Sequence, residues 1–294
     1  MFHSNYIAPE SLEELLAVLH DNYADAKLIA GGTDLIPQMR AGKLSPGILV
    51  DPSRLHLVDI NDAKGDIRLG AHLTHTRAVS SALLKREYSA LVSACRQVGG
   101  PPVRNRGTLA GNLANASPAA DSALPLLVYD AQVAAACFSG ERMIPLDEFY
   151  LGPGRTCLAL DEFIKEIRIP RTPARTKEVF LKLGNRQAMA IAVASVAVRI
   201  TVDEMSLVIK ARIALGSVAP TPLRAYQAEA IIQSNQLNEE TIVLAAQAAQ
   251  QAASPISDLR ASAGYRSKMV YVLTRRALNM ICTDLAHEID NGRD

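Results

Sequence analysis

Residues 107–121 constrain the fold more than any other part of the chain, because a segment of small, uncharged residues is unusual in a loop exposed to water. They read GTLAGNLANASPAAD, with one acidic residue at the end. Small side chains let another group approach the backbone, and the glycine at position 111 allows the closest approach. The uncharged polar side chains that can hydrogen-bond to such a group are Thr108, Asn112, Asn115 and Ser117. The segment therefore predicts a binding loop.

A second glycine-rich segment lies near the amino terminus. Ala30-Gly31-Gly32-Thr33-Asp34-Leu35 follows the short apolar run at residues 27–30. Consecutive glycines after a strand expose backbone N–H groups that can bind a phosphate. Thr33 can add a hydroxyl donor, and Asp34 is expected to cap the helix that follows. Taken alone, the Gly-Gly pair is more typical of a strand-to-helix turn that binds no ligand.

The acidic residue that ends the second segment strengthens the interpretation. Asp121 is suited to accept hydrogen bonds from a ribose hydroxyl, although it also fits the first turn of a helix. Two separate glycine segments and a nearby aspartate indicate a dinucleotide site better than either segment alone. The sequence has neither G-x-G-x-x-G after its first strand nor G-x-x-x-x-G-K-[ST], so it predicts neither a Rossmann nor a P-loop protein.

Metal and disulfide chemistry are not expected in this chain. His72 and His75 have a spacing that allows them to share a helix face, but no third ligand is near, and structural roles are favoured. The four cysteines at positions 95, 137, 157 and 282 are far apart, which argues against zinc, an iron–sulfur cluster or a disulfide framework.

Charge and hydropathy exclude other classes of protein. Lys and Arg number 31 and Asp and Glu 30, a net charge of +1, so no overall field attracts nucleic acid or an anionic membrane. Neither a signal peptide pattern nor a run of 18 apolar residues is present. The sequence therefore predicts a cytoplasmic protein that does not bind membranes.

The remaining pattern predicts an α+β chain. Ser11 and Glu14 have capping-box spacing before a leucine stripe that predicts a helix over 11–20. A proline-rich stretch at 170–173 predicts a domain boundary near residue 175. Strands are predicted at 27–30, 47–51, 67–71, 133–138, 162–169 and 179–183, an antiparallel pair at 192–202 and 207–215, and further helices at 78–84, 88–98, from 238 and over 262–288.

Residues 30–35 and 104–121 together closely resemble the FAD-binding subunit of the molybdenum hydroxylases, the family that includes xanthine dehydrogenase and carbon monoxide dehydrogenase. The resemblance extends over essentially the whole chain, including the turn Gly152-Pro153-Gly154. It implies an α+β fold with an FAD-binding PCMH-type (vanillyl-alcohol-oxidase-like) domain at 1–174, built from two α/β subdomains at about 1–55 and 56–174. A C-terminal domain at 175–294, an antiparallel sheet packed with helices, is expected to follow.

The resemblance also implies which residues bind FAD. Those in the two segments are Leu28, Ile29, Ala30, Gly31, Gly32, Thr33, Asp34, Leu35, Thr108, Ala110, Gly111, Asn112 and Asn115. Asp121 is expected at the adenosine ribose, Ile164 beside the adenine and Lys182 near the flavin end. This sequence departs from the family at Ala110, where glycine is common, and one extra β-carbon there is expected to be tolerated.

The function implied by the resemblance is electron transfer within a larger complex. In the family, substrate is hydroxylated at a molybdenum cofactor on a large subunit, and electrons pass through [2Fe–2S] clusters of a small subunit to the FAD, then to NAD or another acceptor. No catalytic residue is expected in this chain, because the flavin ring carries the redox chemistry. Two alternatives stay open: a stand-alone flavoprotein oxidase of the same fold, and a non-catalytic FAD-binding protein.

Overall fold

The computed structural model describes residues 4–63 and 65–291. The strands are β1 (Asn5–Ile7), β2 (Ala26–Leu28), β3 (Ile48–Val50), β4 (Ile60–Asp62), β5 (Asp66–Gly70), β6 (Gln132–Cys137), β7 (Gly140–Pro145), β8 (Tyr150–Gly152), β9 (Arg155–Thr156), β10 (Phe163–Pro170), β11 (Thr176–Gly184), β12 (Ala192–Val202), β13 (Val208–Gly216) and β14 (Leu223–Arg224). The helices are α1 (Leu12–Asp21), α2 (Leu35–Arg40), α3 (His75–Ser80), α4 (Ala82–Glu87), α5 (Ser89–Gln97), α6 (Pro101–Arg106), α7 (Leu109–Ala114), α8 (Ala123–Val128), α9 (Tyr226–Ile232), α10 (Glu239–Ala252) and α11 (Ala263–Asn291).

The first part of the chain is a small parallel sheet of order β1-β3-β2 with α1 packed beside it. Leu15 and Leu19 on the predicted stripe are buried, and Ser11 accepts a hydrogen bond from the Glu14 N–H at 3.1 Å. The Glu14 carboxylate accepts from the N–H of Glu10 at 2.8 Å, one residue before the position that a capping box uses. The helix thus begins where the sequence predicts.

Residues 60–170 build the second part, a five-stranded sheet of order β4-β5-β10-β6-β7 in which the strand pairs are antiparallel. The helices from α3 to α8 cover it. Leu69 and Ile167 from the sheet share one core with Leu91, Leu113 and Leu124 from the helices. This core fixes the position of the second glycine segment.

The third part is an antiparallel sheet of order β11-β12-β13-β14 between two layers of helices. Every residue of β12 is buried, because both faces of the sheet are covered. One face, with Val196, Val198 and Ile200, packs against α11 and shares a hydrophobic core with α10. The opposite face packs on α5 and α8 of the second part. We call it the docking face.

Four rows of side chains across β11, β12 and β13 make up the docking face. The row of Phe180, Ala197 and Ala214 is apolar and joins the core of the five-stranded part. On one side of the apolar row lies the row of Lys182, Ser195 and Gly216. On the other side lies the row of Glu178, Arg199 and Arg212, followed by the row of Thr176, Thr201 and Lys210. An apolar row thus lies between polar ends.

The α+β class, the helix at 11–20 and the antiparallel pair near 192–215 are confirmed. The predicted helix at 78–84 is two helices, because Ser81 ends α3 and caps α4 by accepting from the Leu84 N–H at 3.3 Å. His72 precedes α3 and His75 begins it, so they do not share a helix face. Among the described residues, no helix is both long enough and apolar enough to cross a membrane.

Candidate cofactor-binding site

The two glycine segments touch through their backbones. A β-carbon placed on Gly31 would lie 2.1 Å from the carbonyl oxygen of Arg106. A β-carbon on Gly107 would lie 3.5 Å from the Thr33 Oγ1. Heavy atoms without a bond between them do not approach to 2.1 Å, so only glycine allows this contact at position 31. The pairing that the sequence only suggested is therefore a physical contact.

A short antiparallel bridge holds the second segment in place. The N–H of His75 donates to the Gly107 carbonyl, and the N–H of Leu109 donates to the Leu73 carbonyl, both at 3.0 Å. Thr74 and Thr108 are the paired residues of this bridge. The chain just before α3 thus fixes the backbone from which α7 begins.

The second segment is itself partly helical, since α7 begins directly after Thr108. The Thr108 hydroxyl accepts a hydrogen bond from the Gly111 N–H at 3.0 Å. A β-carbon on Gly111 would lie 2.8 Å from that hydroxyl oxygen, so the glycine makes room for the cap. Asn112 Oδ1 accepts from the Ser122 hydroxyl at 2.6 Å, which ties α7 to the start of α8.

The first segment runs from β2 into α2 as a half-buried turn. The N–H of Ile29 donates to the Val50 carbonyl at 2.9 Å, and the N–H of Ile36 donates to the Gly32 carbonyl at 3.1 Å. Gly32 has a φ of +69°, in the left-handed region that favours glycine. The turn is therefore fixed by one sheet bond and the first bond of a helix.

Asp34 occupies the cap position of α2 but does not act as expected. Its backbone is helical, and within the described chain its side chain makes no capping hydrogen bond. Desolvation raises the pKa of Asp34, while a hydrogen bond from Thr33 acts in the opposite direction. The prediction that Asp34 caps the helix was wrong. A residue that caps a helix normally has an extended backbone, and the helical backbone of Asp34 directs its side chain away from the free N–H groups of the first turn.

Asp121 and Lys182 meet across the boundary between the five-stranded part and the docking face. Lys182 Nζ lies 2.5 Å from Asp121 Oδ2, and both side chains are only 6% exposed. The same ammonium donates to the Gln97 carbonyl at 3.0 Å. Burial raises the pKa of Asp121 to about 6, and the charge and hydrogen bond of Lys182 hold that pKa below what burial alone would give.

The remaining expected residues lie on α7 and β10, which pack against each other. Ala110 is buried in the first turn of α7, and Asn115 follows that helix, its N–H donating to the Gly111 carbonyl at 3.0 Å. Ile164 is paired with Ala135 beside a bulge in β10 and is 5% exposed. Each of these residues lies next to the segments described above.

Some residues of the site carried no signal in the sequence. Arg106 and Gln97 contribute backbone carbonyls, which any residue type offers. His75 is buried beneath the second segment, and desolvation, with the Arg104 charge as a smaller cause, lowers its pKa to about 4. The imidazole is therefore neutral at pH 7. Such contributions depend on the fold and not on side-chain chemistry that a motif can display.

The polar groups of the site fit a bound dinucleotide. Asp121 Oδ1 is buried and, among the described residues, has no hydrogen-bond partner. A buried acceptor without a donor costs free energy, and a ligand hydroxyl would satisfy it. The two glycine segments meet at Gly31 and the Arg106 carbonyl, and the backbone N–H groups of glycine-rich turns are donors that suit a pyrophosphate.

Comparisons with known proteins agree with this geometry. Residues 2–172 match the family described as the FAD binding domain in molybdopterin dehydrogenase, and residues 179–281 match the CO dehydrogenase flavoprotein C-terminal domain. The 6-hydroxypseudooxynicotine dehydrogenase complex subunit alpha of Paenarthrobacter nicotinovorans is 32% identical over 275 residues, 93% of each chain. The xanthine dehydrogenase FAD-binding subunit of Escherichia coli O157:H7 is 31% identical over 279 residues, 94% of this chain and 95% of that one.

A solved structure gives the same result. A chain of carbon monoxide dehydrogenase from Hydrogenophaga pseudoflava, in a form that lacks the Mo-pyranopterin moiety, superposes with a TM-score of 0.90 at 34% identity. It covers 94% of this chain and 96% of that one. Fold and site thus define a flavoprotein, an oxidoreductase subunit whose cofactor is FAD. The chain belongs to the family of FAD-binding medium subunits of the molybdenum hydroxylases.

Proposed function

We propose that this chain is the electron-transfer subunit of a molybdenum hydroxylase complex, receiving electrons from the [2Fe–2S] clusters of a small subunit and passing them to NAD or another acceptor. A large subunit with a molybdenum cofactor would choose the substrate. The relatives named above, one of them the subunit of a dehydrogenase complex, support this assignment. FAD supplies the redox chemistry through its isoalloxazine ring, and the chain positions that ring.

The observation that carries the proposal is the contact between the two glycine segments beside the buried Asp121. We assign the backbone N–H groups at 30–35, between the hydrogen bonds of Ile29 and Ile36, to the pyrophosphate. The start of α7, with Thr108, Ala110, Gly111, Asn112 and Asn115, would form the other side of the cradle. The turn at 28–35 is half-buried and the start of α7 is buried, and in this proposal they would be two walls of one site.

Asp121 and Lys182 would act as one unit. Asp121 Oδ1 would accept a hydrogen bond from a ribose hydroxyl, while Lys182 holds Oδ2 and keeps the carboxylate oriented. Because Lys182 Nζ lies 2.5 Å from Asp121 Oδ2, we assign Lys182 to the same part of the cofactor as Asp121 and not to the flavin end, where the resemblance places it. Ile164 would pack by the adenine from β10.

We also propose the domain division 1–174 and 175–294, with subdomains at about 1–55 and 56–174. The supporting observation is that each sheet is confined to one of these ranges, with the parallel sheet ending at Val50, the five-stranded sheet at Pro170 and the antiparallel sheet beginning at Thr176. The FAD site then draws residues from both domains, since Lys182 belongs to the second.

The proposal is tested in two stages. First, the purified full chain is mixed with FAD, and bound flavin is measured by absorbance after gel filtration; a colourless product would overturn the assignment. Second, the FAD-loaded chain is treated with NADH without oxygen. Bleaching of the flavin supports NAD as the acceptor, and no bleaching removes NAD from the proposal.

The partner subunits need a separate experiment. The chain is expressed with its neighbouring genes, purified by a tag on this chain only, and assayed for iron and molybdenum. Co-elution of both metals at a constant ratio to flavin supports the complex. A flavin-loaded chain that elutes alone, and that oxidises a small organic substrate without partners, would instead favour a stand-alone oxidase.

A further inference from the structure

A small cavity lies at the far end of the docking face from the Asp121–Lys182 pair. It has a volume of about 130 Å³ and lies between the end of α8, the chain after β10 and the strands β12 and β13. Arg199, which lines the cavity, is four positions along β12 from Ser195 in the row of Lys182, or about 13 Å along an extended strand. The cavity is therefore separate from the cofactor site.

Cations dominate the walls of this cavity. Arg171 comes from the chain after β10, Arg199 from β12, and Lys210 and Arg212 from β13, with the Thr201 hydroxyl among them. Among the described residues that line it, none is acidic. Four positive side chains around so small a volume repel one another unless neighbouring carboxylates or a bound anion offset their charge.

The carboxylates nearby are shared among several cations. The Asp130 carboxylate forms ion pairs with three cations: Lys210 Nζ at 2.7 Å, Arg212 Nε at 2.9 Å and Arg224 Nη1 at 2.9 Å. Arg224 has a second partner in Glu229. Arg171 pairs with Asp62 and lies 3.5 Å from Glu87. The carboxylates thus approach these cations without lining the cavity.

Arg199 is the least satisfied of the four. It lies directly across from Arg212 on the neighbouring strand, and like charges in that position are destabilising. Its Nε forms a buried ion pair with Glu178 Oε2 at 3.7 Å, a distance too long for a hydrogen bond, and its guanidinium lies over the Tyr129 ring at 4.8 Å. The side chain is 7% exposed, and its Nη2 finds no hydrogen-bond partner in the described part of the chain.

We propose that this cavity binds a phosphate group, either inorganic phosphate or the phosphate of a small monoester. A tetrahedral oxyanion offers acceptors in several directions, which suits three guanidinium groups, an ammonium and a hydroxyl that come from β12, β13 and the chain after β10. The volume holds one phosphate group rather than a nucleotide. Because Arg171 precedes β11 and the other cations lie on the docking face, the bound ion would tie the two halves of the molecule together.

The test uses the full chain saturated with FAD, so that the glycine segments are occupied. Inorganic phosphate and glycerol phosphate are titrated separately by calorimetry at constant ionic strength, with chloride as the balancing salt. Lys210→Met removes one wall cation, Lys210→Arg keeps the charge, and Lys165→Met is the matched control. Lys165 is an ion-paired lysine of β10, partnered by Glu141.

We expect saturable binding with one site in the wild type, in Lys210→Arg and in Lys165→Met, and roughly tenfold weaker binding in Lys210→Met, because one charge-assisted contact is lost. The titrant that binds more tightly identifies the source of the phosphate group. The thermal midpoint should rise with phosphate in the same three proteins. Absence of saturable binding, or equal affinity in Lys210→Met and Lys165→Met, would overturn the proposal whether or not the chain holds FAD.

Discussion

At the scale of single residues, the hydrogen atom that Gly31 carries in place of a β-carbon lets the two glycine segments meet. The Arg106 carbonyl occupies the space that any other side chain would need. Gly31→Ala should therefore separate the segments and cost about 1–3 kcal/mol of stability, as overpacking does. We expect FAD retention to fall sharply while the far-UV circular dichroism stays unchanged.

Gly264→Ala is the matched control for this change. Gly264 lies in α11, and a β-carbon there meets no atom within 4 Å. The control should hold flavin as the wild type does and be neutral or slightly more stable, because alanine favours a helix. Equal flavin content in Gly31→Ala and Gly264→Ala would contradict the role of the contact.

Asp121 gives the site a pH dependence at the same scale. Its pKa is raised from 3.8 to about 6 by burial, so the stability that it contributes is complete below about pH 4 and is lost as the pH rises through 6. The loss is at most about 3 kcal/mol for a shift of this size. Denaturant unfolding of the FAD-free chain from pH 4 to pH 7 measures it, and Asp121→Asn should remove this part of the slope.

FAD binding should have the opposite pH dependence. A carboxylate that accepts from a ribose hydroxyl favours its ionised form, so FAD affinity should rise as the pH increases through about 6. The comparison is between wild type and Asp121→Asn, measured by fluorescence quenching of added FAD. The same rise in both proteins would show that another group controls binding.

At the scale of elements, the second glycine segment forms the start of the helix α7 and is not a loop throughout. Thr108→Val keeps the shape of the side chain but removes the hydroxyl that accepts from the Gly111 N–H. The change should cost about 1 kcal/mol, the usual value of a cap, and also weaken FAD binding. Equilibrium unfolding and flavin titration measure the two effects.

Ser11→Ala is the control, because Ser11 caps α1 by the same kind of hydrogen bond. It should show a similar loss of stability with unchanged flavin affinity. If both variants bind FAD like the wild type, the cap of α7 contributes to folding alone.

At the scale of the whole molecule, the docking face couples the C-terminal sheet to the five-stranded part. Phe180 is 5% exposed and belongs by contact to the core of the five-stranded part, although its strand belongs to the other sheet. Phe180→Ala should cost about 3–5 kcal/mol and divide thermal unfolding into two transitions. Calorimetry should show one transition in the wild type.

Val198→Ala tests the opposite face of the same sheet, since Val198 packs with α10 and α11. It should lower the free energy of unfolding by about 1–2 kcal/mol, because apolar burial is lost, and keep a single transition. A single transition in Phe180→Ala as well would show that the docking face is not the link between the two parts.

What the sequence determined by itself is local. The leucine stripe after Ser11 and the apolar run of β12 each specify an element from residues a few positions apart, and these two predictions are confirmed. The family and its cofactor also followed from the glycine segments. Short-range patterns suffice there because hydrophobic periodicity, capping and glycine chemistry act within a few turns of chain.

The tertiary structure alone decided which of these elements meet. Gly31 against Arg106, Lys182 on Asp121 and the four cations around the far cavity join residues that are distant in the sequence. Burial then set the charge states, raising the pKa of Asp121 and lowering that of His75. A short segment of sequence does not show which residue a charged side chain will pair with or how far it will be removed from water. Both depend on which surfaces pack together.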